Sequence, residues 1–337
     1  MYKIGMYGGN FDPLHIGHLN CMIEAASMCE HLYIILSYSR ERDFVPMEIR
    51  YRWILNSLKH IGNVTIYAVK DTAKTKEDYN DLYWKEGAKE IKSLIGKSID
   101  VVFCGSDYNG SNRFENLYKE SEIYYFSRDI ISISSTEIRS NPFKYWDYIP
   151  NICKSYFNKK VLLIGGESTG KSVLTQNLAL SFNTNFVSEV GRDTCEYAGG
   201  EQYMISDDLI ENLVRQELNL KDAIKNSNKV IFCDTDALTT LFYSRFLLEE
   251  DSDELKKCVN LAKDVNEINK WDLVLFLEPT VKFVLDDTRS EEIAVNRVKY
   301  SNQIKELFKE HNIPIVILDG DYENRFIKAK EEVKKIL

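Results

Sequence analysis

The stretch GGESTGKS, Gly165 to Ser172, constrains this chain more than any other segment of its length. It fits G-x-x-x-x-G-K-[ST] at every fixed position, with the apolar run KKVLLI before it and the helical SVLTQNLALSF after it. Strand, glycine-rich turn and helix in that order predict a loop whose amides cradle phosphates, carried by a parallel sheet layered with helices. Gly165, Gly166, Glu167, Ser168, Thr169 and Gly170 would line the phosphates of ATP. Lys171 would reach the β and γ groups, and the Ser172 hydroxyl would ligate magnesium.

The segments NFVSEV, KVIFCDTD, WDLVLFLEP and IPIVILDG read as the further strands of this half, with helical stretches between them. KVIFCDTD ends in Asp234 and Asp236, which lie beside the phosphate loop if the two strands are neighbours. Asp234 is expected to hold magnesium with Ser172, and Asp236 to orient or deprotonate an acceptor hydroxyl, although strand-end aspartates also form ordinary turns. In SEVGRD, Glu189 and Arg192 are placed to grip a sugar and its phosphate. Arg289 and Arg297, in DDTRSEEIAVNR, suit a lid over the transferring phosphate or a solvated face.

The first half repeats the architecture. KIGMYG, HLYIILSYS, NVTIYAV, DVVFCGSD and SEIYYFS read as strands, with helix patterns such as HLNCMIEAASMC and MEIRYRWILNSLKHI between them. After the first strand comes GGNFDPLHIGH: Gly8 and Gly9 clear the backbone, Pro13 suits a helix start, and His15 and His18 fall on one face of the first helical turn. Free amides there and two imidazoles suit an anion. SSTEIRSNP closes this half, Ser134 and Glu137 having the spacing of a capping box and Pro142 marking the stop of a short helix. Ser134, Thr136 and Arg139 would meet a triphosphate from the opposite side. The chain thus reads as two tandem α/β domains with mainly parallel sheets, residues 1–157 and 158–337.

A net charge of −9 and a pI near 5.3 argue against an extended nucleic-acid groove. Seven cysteines without a C-x-x-C pair suggest neither a disulfide framework nor structural zinc. No signal peptide and no apolar run of about 20 residues is evident, so a cytoplasmic protein that is not membrane-embedded is expected.

The pattern G-x-F-D-P-x-H-x-G-H resembles the nucleotidyltransferase signature, and ISSTEIR its second element. That resemblance adds Asn10 and Phe11 to Gly8, Gly9, His15, His18, Ser134, Thr136 and Arg139 as ATP-binding positions. A Rossmann-like nucleotidyltransferase followed by a P-loop kinase is similar to the NadR family, with RERDF, RYRW, FCDTDALTT, LDDTRS and above all NPFKYWDYIP extending the likeness. The resemblance implies a kinase that phosphorylates nicotinamide riboside to the mononucleotide NMN. The transferase would then join NMN to AMP, giving NAD and pyrophosphate, with ATP and Mg2+ serving both steps. His15, His18, Arg139, Lys171, Asp234 and Asp236 would be catalytic; Trp84, Glu189, Arg192 and Asp236 would contact the nicotinamide substrate, Trp84 being equally readable as core. A homo-oligomer and a functional link to a riboside transporter are compatible with the family.

Two departures stand out. Many members carry lysine where Asn10 stands, and some begin with a helix-turn-helix repressor domain, whereas this chain enters its first strand almost at Met1, so DNA binding of that kind is not expected. Two other readings of the same motifs remain: the same folds acting on other phosphorylated acceptors, or a nucleotide-sensing protein that binds without turnover.

Overall fold

A strand inside a parallel sheet is covered on both faces, which is why LYIIL and KVLLI run apolar where a half-exposed strand would alternate. The computed structural model describes residues 1–75, 77–127, 131–283 and 291–337. It divides into two units, Met1–Cys153 and Lys154–Leu337, each built on its own five-stranded sheet.

In the first unit β1 (Tyr2–Gly9), β2 (Cys29–Tyr38), β3 (Val64–Lys70), β4 (Val101–Gly105) and β5 (Glu122–Phe126) stand in the order β3-β2-β1-β4-β5. Every pairing is parallel. The helices are α1 (Ile16–Met28), α2 (Met47–Leu58), α3 (Asp81–Ile95), α4 (Arg113–Leu117) and α5 (Ser135–Ser140). Met6, Tyr33, Ile35 and Val102 pack with Ile95 of α3 and Tyr118 beyond α4. The chain leaves β1 toward β2 and β3 on one side and β4 and β5 on the other, so the crevice at the carboxyl end of β1 is the switch point where such sheets bind ligands. Gly9 ends that strand.

The helix α6 (Asn151–Phe157) contains the division between the units, which falls after Cys153 and not after the helix as the sequence suggests. The second unit orders β6 (Lys159–Gly165), β7 (Phe186–Val187), β8 (Val230–Asp234), β9 (Leu273–Leu277) and β10 (Val316–Leu318) as β10-β9-β6-β8-β7, again all parallel. Its helices are α7 (Lys171–Ser181), α8 (Val190–Ala198), α9 (Ser206–Ala223), α10 (Ala237–Leu247), α11 (Asp253–Ile268), α12 (Glu291–Glu310) and α13 (Tyr322–Lys335). Val161 and Leu163 face one core and Leu162 and Ile164 the other, the period of two that buries both faces of β6. β7 is only two residues long, and Glu189, expected on the strand NFVSEV, instead stands at the N-cap position of α8 without a side-chain capping bond.

β6 delivers the phosphate loop through Gly165 at φ 151°, where a Cβ would stand 2.6 Å from the Leu277 carbonyl oxygen of β9. Only glycine fits between strand and loop there. Gly165→Ala is expected to cost about 2 kcal/mol or more in urea unfolding, from backbone strain and overpacking together. A loss under about 0.5 kcal/mol would show that β9 yields to the new methyl.

Candidate active sites

In the first unit the loop from Gly9 to His15 is shaped by its own side chains before any ligand is considered. His15 is the N-cap of α1, and its Nδ1 accepts the His18 N–H at 3.3 Å, while the His15 N–H donates to His18 Nδ1 at 3.4 Å. The helix therefore starts at Ile16 and not near Pro13, since His15 is extended at φ −137°. Reciprocal capping lays the two rings face to face, centroids 3.5 Å apart. Gly17 leaves room for this: a Cβ there would lie 3.1 Å from His15 Nδ1. Because both Nδ1 atoms accept backbone protons, each imidazole is neutral and carries its proton on Nε2, a donor directed away from the helix cap.

Phe11 serves this pair from behind. It is 3% exposed and meets the His18 ring edge-on at 5.0 Å, so it braces the histidine and does not offer its face to a ligand. Three side chains hold the loop's carbonyls. Arg50 of α2, fully buried, donates to the Asn10 carbonyl and to that of Ser37 at 3.3 Å, and pairs with Asp43. Ser135 donates to the Pro13 carbonyl at 2.9 Å. Arg139, expected to meet the triphosphate, donates to the Asp12 carbonyl and, at 3.0 Å, to the Thr136 hydroxyl. The capping box of Ser134 and Glu137 forms as the spacing predicts. Asn10 is exposed beyond its carbonyl contact, and a Cβ on Gly8 would meet Ile35 Cβ at 3.9 Å, an ordinary contact. Trp84 is brought together with Phe114, Tyr79 and the guanidinium of Arg113, 4.9 Å from its ring, and its Nε1 is buried without a hydrogen-bond partner. A cation thus already faces this indole.

The second unit has a cavity of about 110 Å³ at the carboxyl end of its sheet, walled by Glu167, Ser168, Lys171, Glu189 and Arg192 among the expected residues. Thr169 Oγ1 and Lys171 Nζ both donate to the Gly166 carbonyl, at 2.8 and 3.1 Å. Among the described residues Lys171 makes no ion pair, so its charge is held inside the loop for an anion. Glu189 and Arg192 stand 4.0 Å apart on the opposite wall.

The two strand-end aspartates part ways. Asp234 pairs in register with Leu163 beside the loop, the Ser172 hydroxyl lies close enough to favour its ionised form, and its Oδ1 is buried without a partner. Burial and then Glu189 push its carboxyl up to about 6 against the opposing pull of Lys171. A hydroxyl and an unsatisfied carboxylate oxygen next to a phosphate loop fit a divalent cation that takes most of its ligands from phosphates and water. No cluster of three or more His, Cys, Asp or Glu that would hold a metal unaided occurs among the described residues. Asp236 does not line the cavity. It caps α10, accepting the Thr239 N–H and hydroxyl at 3.0 Å each, and burial pushes it up to about 6. Helix capping takes one oxygen of the carboxylate that the sequence assigns to an acceptor hydroxyl, and the other, Oδ2, is buried without a hydrogen-bond partner.

Arg297 is likewise relocated. It is 9% exposed and donates to the carbonyls of Ser168 at 2.9 Å and Val281 at 2.7 Å, so it braces the loop from beneath and does not sit on a solvated face. Arg289 lies outside the described residues. Sequence reading misses Gln216 of α9, whose amide accepts the Val190 N–H at 3.1 Å and donates to the Asp234 carbonyl at 3.0 Å, tying α8 to the end of β8. Tyr243, whose hydroxyl donates to Glu167 at 3.3 Å, is missed too. Neither has a motif around it; each lies in one of the helical stretches between strands.

Residues 6–141 match the cytidylyltransferase-like family and residues 160–325 the AAA domain family. The trifunctional NAD biosynthesis/regulator protein NadR of Escherichia coli (strain K12) is 30% identical over 348 residues, covering 99% of this chain and 83% of that protein. A phosphopantetheine adenylyltransferase of Streptococcus pneumoniae (strain TIGR4) is 34% identical over 147 residues, 38% of this chain and 87% of that protein. Two crystal structures of NadR protein, one in complex with NR and one with NAD and AMP-PNP, superpose with TM-scores of 0.85 and 0.83. At 23% identity they cover 99% and 100% of this chain and 96% of each of theirs, and so share its fold. No described helix is long and apolar enough to cross a membrane.

Nitrogen-15 NMR should show both His15 and His18 as Nε2–H tautomers; an Nδ1–H form of either would break the reciprocal cap. For Asp234, a folded pKa above the unfolded 3.8 means that the folded chain keeps a proton up to about pH 6 which the unfolded chain has released. Its contribution to stability therefore falls as pH rises through that window. Asp234→Asn should remove this share of the slope and raise the melting temperature at pH 7 without nucleotide. An unchanged melting profile would mean that the carboxylate is not held unsatisfied.

Proposed function

The chain belongs to the NadR family, and on that premise we propose that it makes NAD in two ATP-dependent steps, one in each unit. The second unit phosphorylates nicotinamide riboside; the first transfers AMP to the resulting mononucleotide. What supports this reading is that each unit ends its central strand in a separate loop suited to phosphate, one backed by stacked imidazoles and the other by a buried lysine.

For phosphorylation, the loop amides and Lys171 bind the triphosphate, and Ser172 with Asp234 Oδ1 would hold the magnesium ion, which neutralises charge on the phosphates when bound. The riboside's 5′-hydroxyl oxygen bonds to the γ-phosphorus as the bond to ADP breaks. We assign the hydroxyl proton to Glu189, since Glu189 lies on the cavity wall facing Arg192 and Asp236 does not line that cavity. For adenylyl transfer, an oxygen of the mononucleotide's phosphate bonds to the α-phosphorus of ATP and pyrophosphate leaves. No protein nucleophile is needed: the Nε2–H groups of His15 and His18 donate to the phosphate oxygens, in a loop that Arg50, Ser135 and Arg139 keep in shape.

Purified protein given nicotinamide riboside, ATP and magnesium should form the mononucleotide and then NAD, and no turnover of either nicotinamide substrate would overturn the proposal. Lys171→Ala should lower riboside phosphorylation by about a hundredfold or more while adenylylation of supplied mononucleotide stays within about twofold. His18→Ala should do the reverse. Loss of both reactions in either variant would contradict separate sites.

A further inference from the structure

Arg325 sits in the first turn and a half of α13, far in sequence from the phosphate loop and outside every motif in the chain. It is 1% exposed. Its Nη1 donates to the Thr169 carbonyl of the loop at 2.7 Å, and its Nη2 donates to the Glu278 carbonyl at 2.6 Å and the Thr280 hydroxyl at 2.5 Å. Thr280 in turn donates to the Gly320 carbonyl at 2.7 Å, just before the Asp321 cap of α13. One guanidinium thereby ties together the phosphate loop, the chain leaving β9 and the start of α13. Among the described residues it has no carboxylate within ion-pair distance; Asp319, Glu278 and Asp321 favour its charge only from farther off, burial outweighs them, and its Nε is buried without an acceptor. A buried cation paired only with neutral acceptors is costly unless something compensates it.

We propose that Arg325 is a positioning residue of the kinase site, which sets the direction of the loop's Gly170 amide and leaves its own charge to be balanced by the nucleotide's phosphates. The peptide group is planar and trans, so a Thr169 carbonyl drawn toward Arg325 turns the Gly170 N–H to the opposite, concave side of the loop. Gly170 itself is at φ 88°, with the Tyr322 ring of α13 2.9 Å from where its Cβ would be, so α13 also closes the space behind that amide. The same logic holds one residue earlier, where Arg297 takes the Ser168 carbonyl. A neutral residue at 325 would free the Thr169 carbonyl to rotate toward the phosphates, replacing a donor with an acceptor.

This inference rests on the kinase reading, and its test is arranged so that the two fail separately. In the full chain, Arg325→Met should weaken magnesium-ADP binding by calorimetry about tenfold or more, the loss of one charge-assisted hydrogen bond, and raise the ATP KM in parallel. The riboside KM should stay within about twofold and adenylyl transfer by the other unit should be unchanged. Arg325→Lys should recover part of the affinity, since an ammonium lacks the planar fork. A folded Arg325→Met chain with ADP affinity within about twofold of wild type, or with both substrates' KM values raised together, would overturn the proposal. Should that variant not fold, Thr280→Val removes one acceptor at an exposed position and is expected to weaken ADP about threefold; unchanged affinity there overturns it equally. ADP binding that responds to Arg325 without any riboside turnover would defeat the kinase reading alone.

Discussion

A backbone loop can bind an anion only if its amides face one way, and because each peptide is planar its carbonyls must then face the other, into the protein, where they need donors. Both units meet this requirement with arginine. Arg50 and Arg139 take the carbonyls of Asn10 and Asp12 in the first unit; Arg297 and Arg325 take those of Ser168 and Thr169 in the second. Guanidinium suits the task because it stays charged when buried and presents its donors in a fixed fork. The expense appears at Nε of Arg50, Arg297 and Arg325, each buried without an acceptor. Rotating any of these carbonyls would turn a donor away from the ligand, so the glycines of each loop supply conformational freedom and the arginines remove it again.

With the loops so held, the units differ in what they add. The first adds neutral donors: stacked rings 3.5 Å apart could not both be protonated without strong repulsion, and the reciprocal helix cap keeps their Nδ1 atoms as acceptors. The second adds charge. Lys171 lies inside the loop, and Asp234 and Asp236, both pushed up to about 6, sit at the end of the neighbouring strand. Asp236 gives one oxygen to the amide and hydroxyl of Thr239, and each carboxylate keeps one buried oxygen without a partner, that of Asp234 next to Ser172. Two carboxylates two residues apart thus differ in surroundings, one at a helix N-terminus and one beside the phosphate loop, by which strand neighbour and which helix each one meets.

Much of the fold is legible in the amino-acid order. The ten apolar runs become the ten strands, since an apolar stretch bounded by turn residues can bury itself only one way in a helix-covered sheet. NFVSEV and IPIVILDG are the most shortened, to two and three residues, and α8 begins directly after Glu189. The phosphate loop, the H-x-x-H pair and the Ser134–Glu137 capping box are likewise readable, each being complete within a few residues. Side chains whose partners lie elsewhere are misjudged: Phe11 and Arg297 brace loops where ligand contacts or a lid are expected, and Asp236 turns inward. Arg325 and Gln216 carry no local sign of their work, and Arg50 stands in the tract RYRW with nothing there to tell which carbonyl it holds.

The sequence by itself determined the two α/β layers, the place of each cradle at a strand end and the chemical groups offered there, because strand period, turn chemistry and helix capping act over a few bonds. Only the tertiary structure decided which way those groups face. Arg139 and Asp12 are 127 residues apart, Arg297 and Ser168 129, and Arg325 and Thr169 156. Contacts across such distances arise from sheet order and helix packing, which bring together residues that no pattern along the chain relates.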